Sequence, residues 1–244
     1  LTTPAMLPRL HQISPVQQHY LAFLQRLRRE GFAGDLAPDY ANRTVLSTDN
    51  SLYQILPQAV VYPRHSADVV LLCRLAFQQG DIVLSPRGGG TGTNGQSLTD
   101  GLVVDLSRYF TGILDIDPER RTARVQSGVV KDRLNAEAKQ HGLFFAPDTS
   151  TSNRATIGGM INTDACGQGS CVYGKTRHHV LQLDSVLADG TEWHSGPLDD
   201  AELARLCQHD DRVGEIHRVL DAIQRDKGEL IREIFPPLNR SLTG

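Results

Sequence analysis

The chain of 244 residues is 39% hydrophobic and carries 25 basic against 28 acidic side chains, a formal net charge of −3. That length and apolar content suit one large or two modest globular units with a buried core, and the near-neutral balance speaks against a broad nucleic-acid surface. No run of about 18 apolar residues is present, so no membrane-spanning helix is expected.

Four cysteines in a chain this long do not make a disulfide framework. With no signal peptide in view, the expected compartment is the reducing cytoplasm. Cys73 and Cys207 fall in helical patterns as core fillers. The Cys166–Cys171 spacing is a weak metal signal, and no metal is expected.

In chain order, Ser14-Pro15-Val16-Gln17 reads as a capped helix start, followed by an apolar stripe from Tyr20 to Leu27 and a stop at Gly31. This helix is expected to pack outside the following domain, as part of an extension over residues 1–44. Residues 35–50 read as polar loop. Residues 59–62 read as a strand, and Ser66 as the cap of a helix closed by Gly80. A short strand at 81–84 ends at Pro86. Residues 102–106, 113–116 and 122–126 read as three consecutive strands, the last two joined by a turn at Pro118-Glu119-Arg120. A helix follows from Val130 to Gln140. Residues 180–194 read as a hairpin turning on the two residues Asp189-Gly190. Residues 199–235 read as helical, ending at Pro236-Pro237.

Two glycine-rich stretches interrupt this order. The first holds Pro86, Arg87, Gly88, Gly89, Gly90, Thr91, Gly92 and Thr93, running on through Asn94 and Gly95. Such a run can turn several N–H groups toward one point and form a nest for phosphate oxygens. Residues 90–95 also match G-x-G-x-x-G. A strand at 102–106 follows rather than a helix, so the dinucleotide fingerprint in its Rossmann sense does not apply. No Gly-Lys-Ser/Thr is present, which excludes a P-loop. The second stretch runs from Pro147 to Gly174. Its hydroxyls (Thr149, Ser150, Ser152, Thr156), its amides (Asn153, Asn162) and the pair Gly158-Gly159 suit a large, flat, polar heterocycle.

Taken together, Pro86-Arg87-Gly88-Gly89-Gly90-Thr91-Gly92, Pro147-Asp148, Ile157-Gly158-Gly159 with Asn162, Tyr173-Gly174 and the hairpin segment VLADGTE resemble the FAD domain of the vanillyl-alcohol oxidase / p-cresol methylhydroxylase superfamily. The resemblance covers residues 45 to 195. Residues 153–164 and Leu238-Asn239-Arg240 look like the large bacterial D-2-hydroxyglutarate dehydrogenase type. It implies an α+β, two-lobed FAD-binding domain of the p-cresol methylhydroxylase type, with lobe one over 45–106 and lobe two over 107–195. A helical insertion would follow over 196–244. It also implies non-covalent FAD, because Thr91 stands where covalently flavinylated relatives often carry a histidine.

By the same resemblance, the main-chain N–H groups of residues 87–93 would hold the pyrophosphate. Pro147, Asp148, Thr149, Ile157, Gly158, Gly159 and Asn162 would line the isoalloxazine and ribityl side. Tyr173 and Gly174 would follow the flavin, and Val180 would meet the adenine end through its backbone. The closing segment of the family's flavin domain and its substrate cap do not appear in this sequence. The chain therefore reads as truncated at its C-terminal end, with an iron–sulfur domain implied in the full-length protein.

No residue stands out as a catalytic base, and such residues are expected outside this stretch. His178 and His179 read as a solvated turn. The expected function is oxidation of a D-2-hydroxy acid, such as D-2-hydroxyglutarate or D-lactate, to the 2-oxo acid, by hydride transfer to FAD and on to an electron acceptor of unknown identity. The alternatives are another flavin oxidase or reductase on the same fold, or a flavin-free binding module.

Overall fold

The computed structural model describes residues 14–235. The first half builds helix α1 (Gln18–Arg29), strand β1 (Asp35–Ala37), helix α2 (Tyr40–Val45), strand β2 (Ala59–Tyr62), helix α3 (Ser66–Gln79), strand β3 (Leu84–Arg87) and strand β4 (Leu102–Asp105). Its sheet has the order β1-β2-β4-β3, with β2, β4 and β3 parallel and β1 antiparallel at one edge. β2 and the first three residues of β4 are apolar throughout because both of their faces are covered. On one face Ala59, Val61, Leu102 and Val104 pack against α1 and α3 through Phe23, Leu24, Leu27, Leu72 and Leu75. On the other, Val60, Tyr62 and Val103 meet Ala37, Leu46 and Tyr109. Phe23, Leu27 and Leu72 are fully buried, each contributing about 1.5–3 kcal/mol by removal from water. Helix α1 is thus part of this core, not packed outside it as the sequence suggested.

Several local expectations shift for identifiable reasons. Helix α1 starts at Gln18 rather than beside Ser14, because the Gln17 N–H donates to the Gln58 side chain at 2.9 Å and keeps the chain extended there. Residues 35–50 are not a loop throughout. β1 adds to the sheet edge, and Asp39 caps α2 by accepting the Asn42 N–H at 3.0 Å. The α3 cap is His65 rather than Ser66; buried Asp68 accepts the N–H groups of Ala33 and Arg64 at 2.8 Å and of His65 at 3.3 Å.

The strand expected at 81–84 lies at 84–87 and contains Pro86 instead of ending at it. The Leu102 and Leu106 N–H groups donate to the Val83 and Arg87 carbonyls at 2.9 Å. Odd-numbered residues therefore face β4, while the ring nitrogen of Pro86 points away from it. An edge strand loses no ladder bond to a proline so placed.

The second half is built of small units. Strands β5 (Ile113–Asp117) and β6 (Thr122–Val125) pair with each other, not with β4. Helices α4 (Lys131–Ala138), α5 (Ile157–Asn162) and α6 (Ser170–Tyr173) follow. Val129, Leu134, Ala155, Ile157 and Met160 form a separate core. Strands β7 (Leu183–Val186) and β8 (Glu192–Ser195) make the expected hairpin, but with three residues between Leu187 and Thr191. The Leu187 N–H donates to the Thr191 carbonyl at 2.8 Å, and Gly190 takes φ +88°, the left-handed position of a three-residue turn. The helical tail divides at residues 208–211 into α7 (Asp200–Cys207) and α8 (Arg212–Ile234), each with an aspartate cap. Residues 236–240, including Pro236-Pro237, lie outside the described residues.

Candidate functional site

The first glycine loop leaves the carboxyl end of β3, the side of a parallel sheet where ligands collect. None of the N–H groups of residues 88–93 donates to an acceptor among the described residues. Six adjacent unengaged donors leave this loop's main chain available to an anion. Gly90 has φ +62°, and the Arg87 guanidinium lies directly beneath it.

The second stretch is stitched to residues 127–132 by the main chain. Gly158 and Ile157 donate to the Ser127 and Val129 carbonyls, both at 2.8 Å, and Lys131 and Asp132 donate to the Ala155 and Ser152 carbonyls at 2.9 and 3.2 Å. Thr156 caps α5, its hydroxyl accepting the Gly159 N–H. This brings the two stretches into contact. A Cβ on Gly88 would fall on Thr156 Oγ1, and one on Gly89 would fall on the Arg154 carbonyl. Gly88 and Gly89 are therefore demanded by the approach of one loop to the other.

The remaining expected residues divide into two neighbourhoods. Pro147 is fully buried, and Asp148 packs on Gly167, where a Cβ would lie 2.6 Å from the Asp148 carbonyl oxygen. Tyr173, at the end of α6, meets Phe144 edge-on with ring centres 5.6 Å apart, and Gly174 follows at φ +79°. Asn162 bends back to donate to the Gly158 carbonyl at 2.8 Å. Val180 follows a 3-10 turn and donates to Arg177 at 3.4 Å. So residues 86–93 meet 154–159, and 147–149 meet 167–174. Among the described residues, Tyr173, Gly174 and Val180 form no hydrogen bond to the first loop.

Asp164 takes φ +43°, a strained position held by its carboxylate. Oδ1 accepts the Arg177 N–H at 3.0 Å, and Oδ2 faces Arg177 Nη1 at 3.4 Å and Lys175 Nζ at 3.7 Å. It ties the two ends of the 164–177 segment together. His178 and His179 are not merely solvated. His178 Nδ1 accepts the Lys175 N–H at 3.1 Å, and His179 Nε2 lies 2.8 Å from the Tyr173 carbonyl.

The sequence reading gave no side-chain role to Arg87, Arg154 or residues 45–50. Thr48, Asp49, Arg87, Thr91, Thr151 and Arg154 line a polar cleft of about 180 Å³. Arg87 is 6% exposed and donates to the Thr48 and Leu46 carbonyls at 2.7 and 3.3 Å. Burial pushes its guanidinium pKa down, with Asp105 and Asp49 offsetting part of this. Burial pushes Asp49 up, yet hydrogen bonds from Ser51 and Ser97 and the Arg87 charge outweigh it and hold the carboxyl below its ordinary value. The signal that could have found residues 45–50 is Thr48-Asp49-Asn50-Ser51, an Asx turn in which Asp49 accepts the Ser51 N–H at 2.8 Å.

Three observations test whether the site fits a flavin dinucleotide. The first loop offers unengaged donors, a guanidinium lies buried below it, and Thr149 Oγ1 is buried without a hydrogen-bond partner among the described residues. A ligand with a diphosphate and a polar ring system satisfies all three. Among the described residues no group of His, Cys, Asp and Glu side chains could hold a metal, and no helix is long and apolar enough to cross a membrane.

Comparison with known proteins agrees with this geometry. The FAD binding domain family matches residues 57–196. D-2-hydroxyglutarate dehydrogenase of Pseudomonas putida is 58% identical over 98% of the chain and 24% of its own length, and that of Escherichia coli is 51% identical over the same shares. The chain thus spans about a quarter of these curated relatives. Among solved structures, alkyldihydroxyacetonephosphate synthase superposes with a TM-score of 0.66 at 22% identity, over 81% of this chain and 39% of that one. 6-Hydroxy-D-nicotine oxidase of Arthrobacter nicotinovorans gives 0.60 at 24%, over 72% and 38%. The fold is the α+β type of these solved structures, and the chain belongs to the FAD-binding domain family.

Proposed function

We propose that this chain is the flavin cradle of an oxidoreductase that converts a D-2-hydroxy acid to the 2-oxo acid, with D-2-hydroxyglutarate as the leading substrate. The observation that carries this reading is the meeting of residues 88–89 with 154–156, which sets the unengaged N–H groups of the first loop beside the start of α5. The relatives named D-2-hydroxyglutarate dehydrogenase, matched along nearly the whole chain, supply the substrate class.

In this proposal the N–H groups of residues 87–93 hold the diphosphate. Pro147, Asp148, Thr149, Ile157, Gly158, Gly159 and Asn162 line the ring and ribityl side. Tyr173 and Gly174 follow the ring, and Val180 meets the adenine end. When bound, FAD supplies a two-electron acceptor for the hydride leaving C2 of the hydroxy acid. The chain's own part is to bind, orient and exclude water. Thr149 Oγ1 offers a buried hydrogen bond to the ring edge, and buried Pro147 helps close the wall behind it.

The base that takes the substrate hydroxyl proton, the electron acceptor and an iron–sulfur domain are assigned to the rest of the protein. We also propose the division into lobes at residues 45–106 and 107–195 with a helical insertion after 196, and a cytoplasmic location. The test is the visible spectrum of the intact protein under anaerobic conditions. Bleaching of the flavin bands by D-2-hydroxyglutarate supports the assignment. Bleaching by D-lactate or glycolate alone would move the substrate, and an intact protein that carries no flavin would overturn the reading.

A further inference from the structure

Arg154 reaches from the second loop back to the first. Its Nη2 donates to the Gly89 carbonyl at 3.2 Å, while its own carbonyl sits against Gly89. It forms no ion pair with a carboxylate among the described residues, and neither does Arg87. The two guanidiniums line one cleft with Gly90 and Thr91. Their charges oppose each other, adding to the burial that pushes Arg87 down. Asp105 and Asp49 offset part of the burial at Arg87, Asp49 also accepting the Ser51 N–H at 2.8 Å and the Ser97 hydroxyl at 3.1 Å, while Arg154 has no carboxylate at ion-pair distance among the described residues. Two guanidiniums, one of them without a carboxylate partner, beside unengaged N–H donors form an arrangement that an anion would stabilise.

We infer that Arg154 is a diphosphate-binding side chain, contributed by the second loop and closing over the nest of the first. Arg87 supplies a fixed positive floor, already tied to the Leu46 and Thr48 carbonyls. Arg154 is exposed and makes a single side-chain bond, so it can turn its planar donors onto phosphate oxygens while keeping its place between the loops. This rests on the FAD reading and deepens it. The two loops would be locked together by the anion as well as by Gly88 and Gly89. A nucleotide with a diphosphate would bind far better than riboflavin.

The experiment titrates FAD, and separately inorganic pyrophosphate, into the flavin-stripped intact protein by calorimetry at low and high ionic strength. Wild type, Arg154→Gln and Arg154→Lys are compared. Loss of one charge-assisted phosphate contact should raise the FAD Kd of Arg154→Gln about ten- to hundredfold and flatten its salt dependence. Arg154→Lys should recover part of the loss, and the flavin-stripped variants should melt with the wild type. Pyrophosphate affinity should fall in parallel. Unchanged FAD and pyrophosphate binding in Arg154→Gln would overturn the inference, and so would equal losses in Arg154→Gln and Arg154→Lys. A wild type that binds pyrophosphate through Arg154 but takes up no FAD leaves this inference standing and removes the flavin reading. A wild type that binds neither removes both.

Discussion

Gly158 and Ser127 touch through their main chains: the Gly158 N–H donates to the Ser127 carbonyl at 2.8 Å, and a Cβ on Gly158 would lie 2.7 Å from the Ser127 Cβ. Gly159, one residue on, has only Thr156 Oγ1 within reach, at 3.2 Å. The two glycines should therefore separate stability from cofactor retention. Gly158→Ala must push two main-chain segments apart and should lower stability by about 1–3 kcal/mol. Gly159→Ala should change stability by less than about 1 kcal/mol, since the gain in helix propensity offsets a mild contact. If the ring system passes Gly159, Gly159→Ala should still lose FAD, with a Kd raised more than about tenfold. Thermal melts with flavin titrations decide this, and normal flavin content in Gly159→Ala would remove Gly159 from the site.

Attachment of the flavin is expected to be non-covalent, because position 91 carries only the weakly nucleophilic hydroxyl of a threonine. Acid precipitation of the intact protein should leave the yellow colour in the supernatant. Colour in the pellet would reveal a covalent link to some other residue.

Asp164 sits in a left-handed conformation, and three contacts from Arg177 and Lys175 hold it there. Asp164→Ala removes the contacts and puts a residue with little tolerance for φ +43° in their place, for a loss of about 2–3 kcal/mol. Asp164→Asn keeps an acceptor for the Arg177 N–H and a residue type that tolerates this region, and should lose less than half as much. Equal losses in the two variants would show that the backbone strain is unimportant.

Asp35 gives a pH signature to the first sheet. The Tyr109 hydroxyl, donating at 2.6 Å, holds its carboxyl below the ordinary value of 3.8, helped by Arg64 and Arg108. A depressed carboxylate stabilises the fold in full above 3.8 and loses that contribution as pH falls through the lower, folded value. Half-exposed and screened, it should be worth at most about 1 kcal/mol. Asp35→Asn should thus be less stable than wild type at pH 6, with the two curves drawing together as pH falls below 3.8. Parallel curves down to pH 2 would show that the carboxylate is not linked to folding.

The glycine stretches were legible because their composition is expensive in an ordered chain unless something approaches closely. Residues 88, 89 and 158 prove to be close-approach positions, although what approaches in the structure is protein. Strands β2 and β4 were legible from Ala59-Val60-Val61-Tyr62 and from the β-branched run that opens with Leu102-Val103-Val104. Strand β1 and helix α2 were not, because Asp35-Leu36-Ala37 is too short to show a period and α2 has only six residues. The position of β3 was misread because proline normally ends a strand, and only the sheet order reveals that residue 86 lies on an edge. Arg154 was hidden by its distance in sequence from the loop it touches, 65 residues away.

That edge proline has a consequence for the life of the protein among its neighbours. The outer side of β3 would offer a strand from another molecule a row of donors and acceptors, the usual start of sheet-to-sheet aggregation. At residue 86 the row has no donor, and the ring occupies the space where the intruding carbonyl would sit. The strand that delivers the nucleotide loop is thereby a poor template for strand addition. Pro86→Ala should fold normally yet aggregate sooner on partial unfolding.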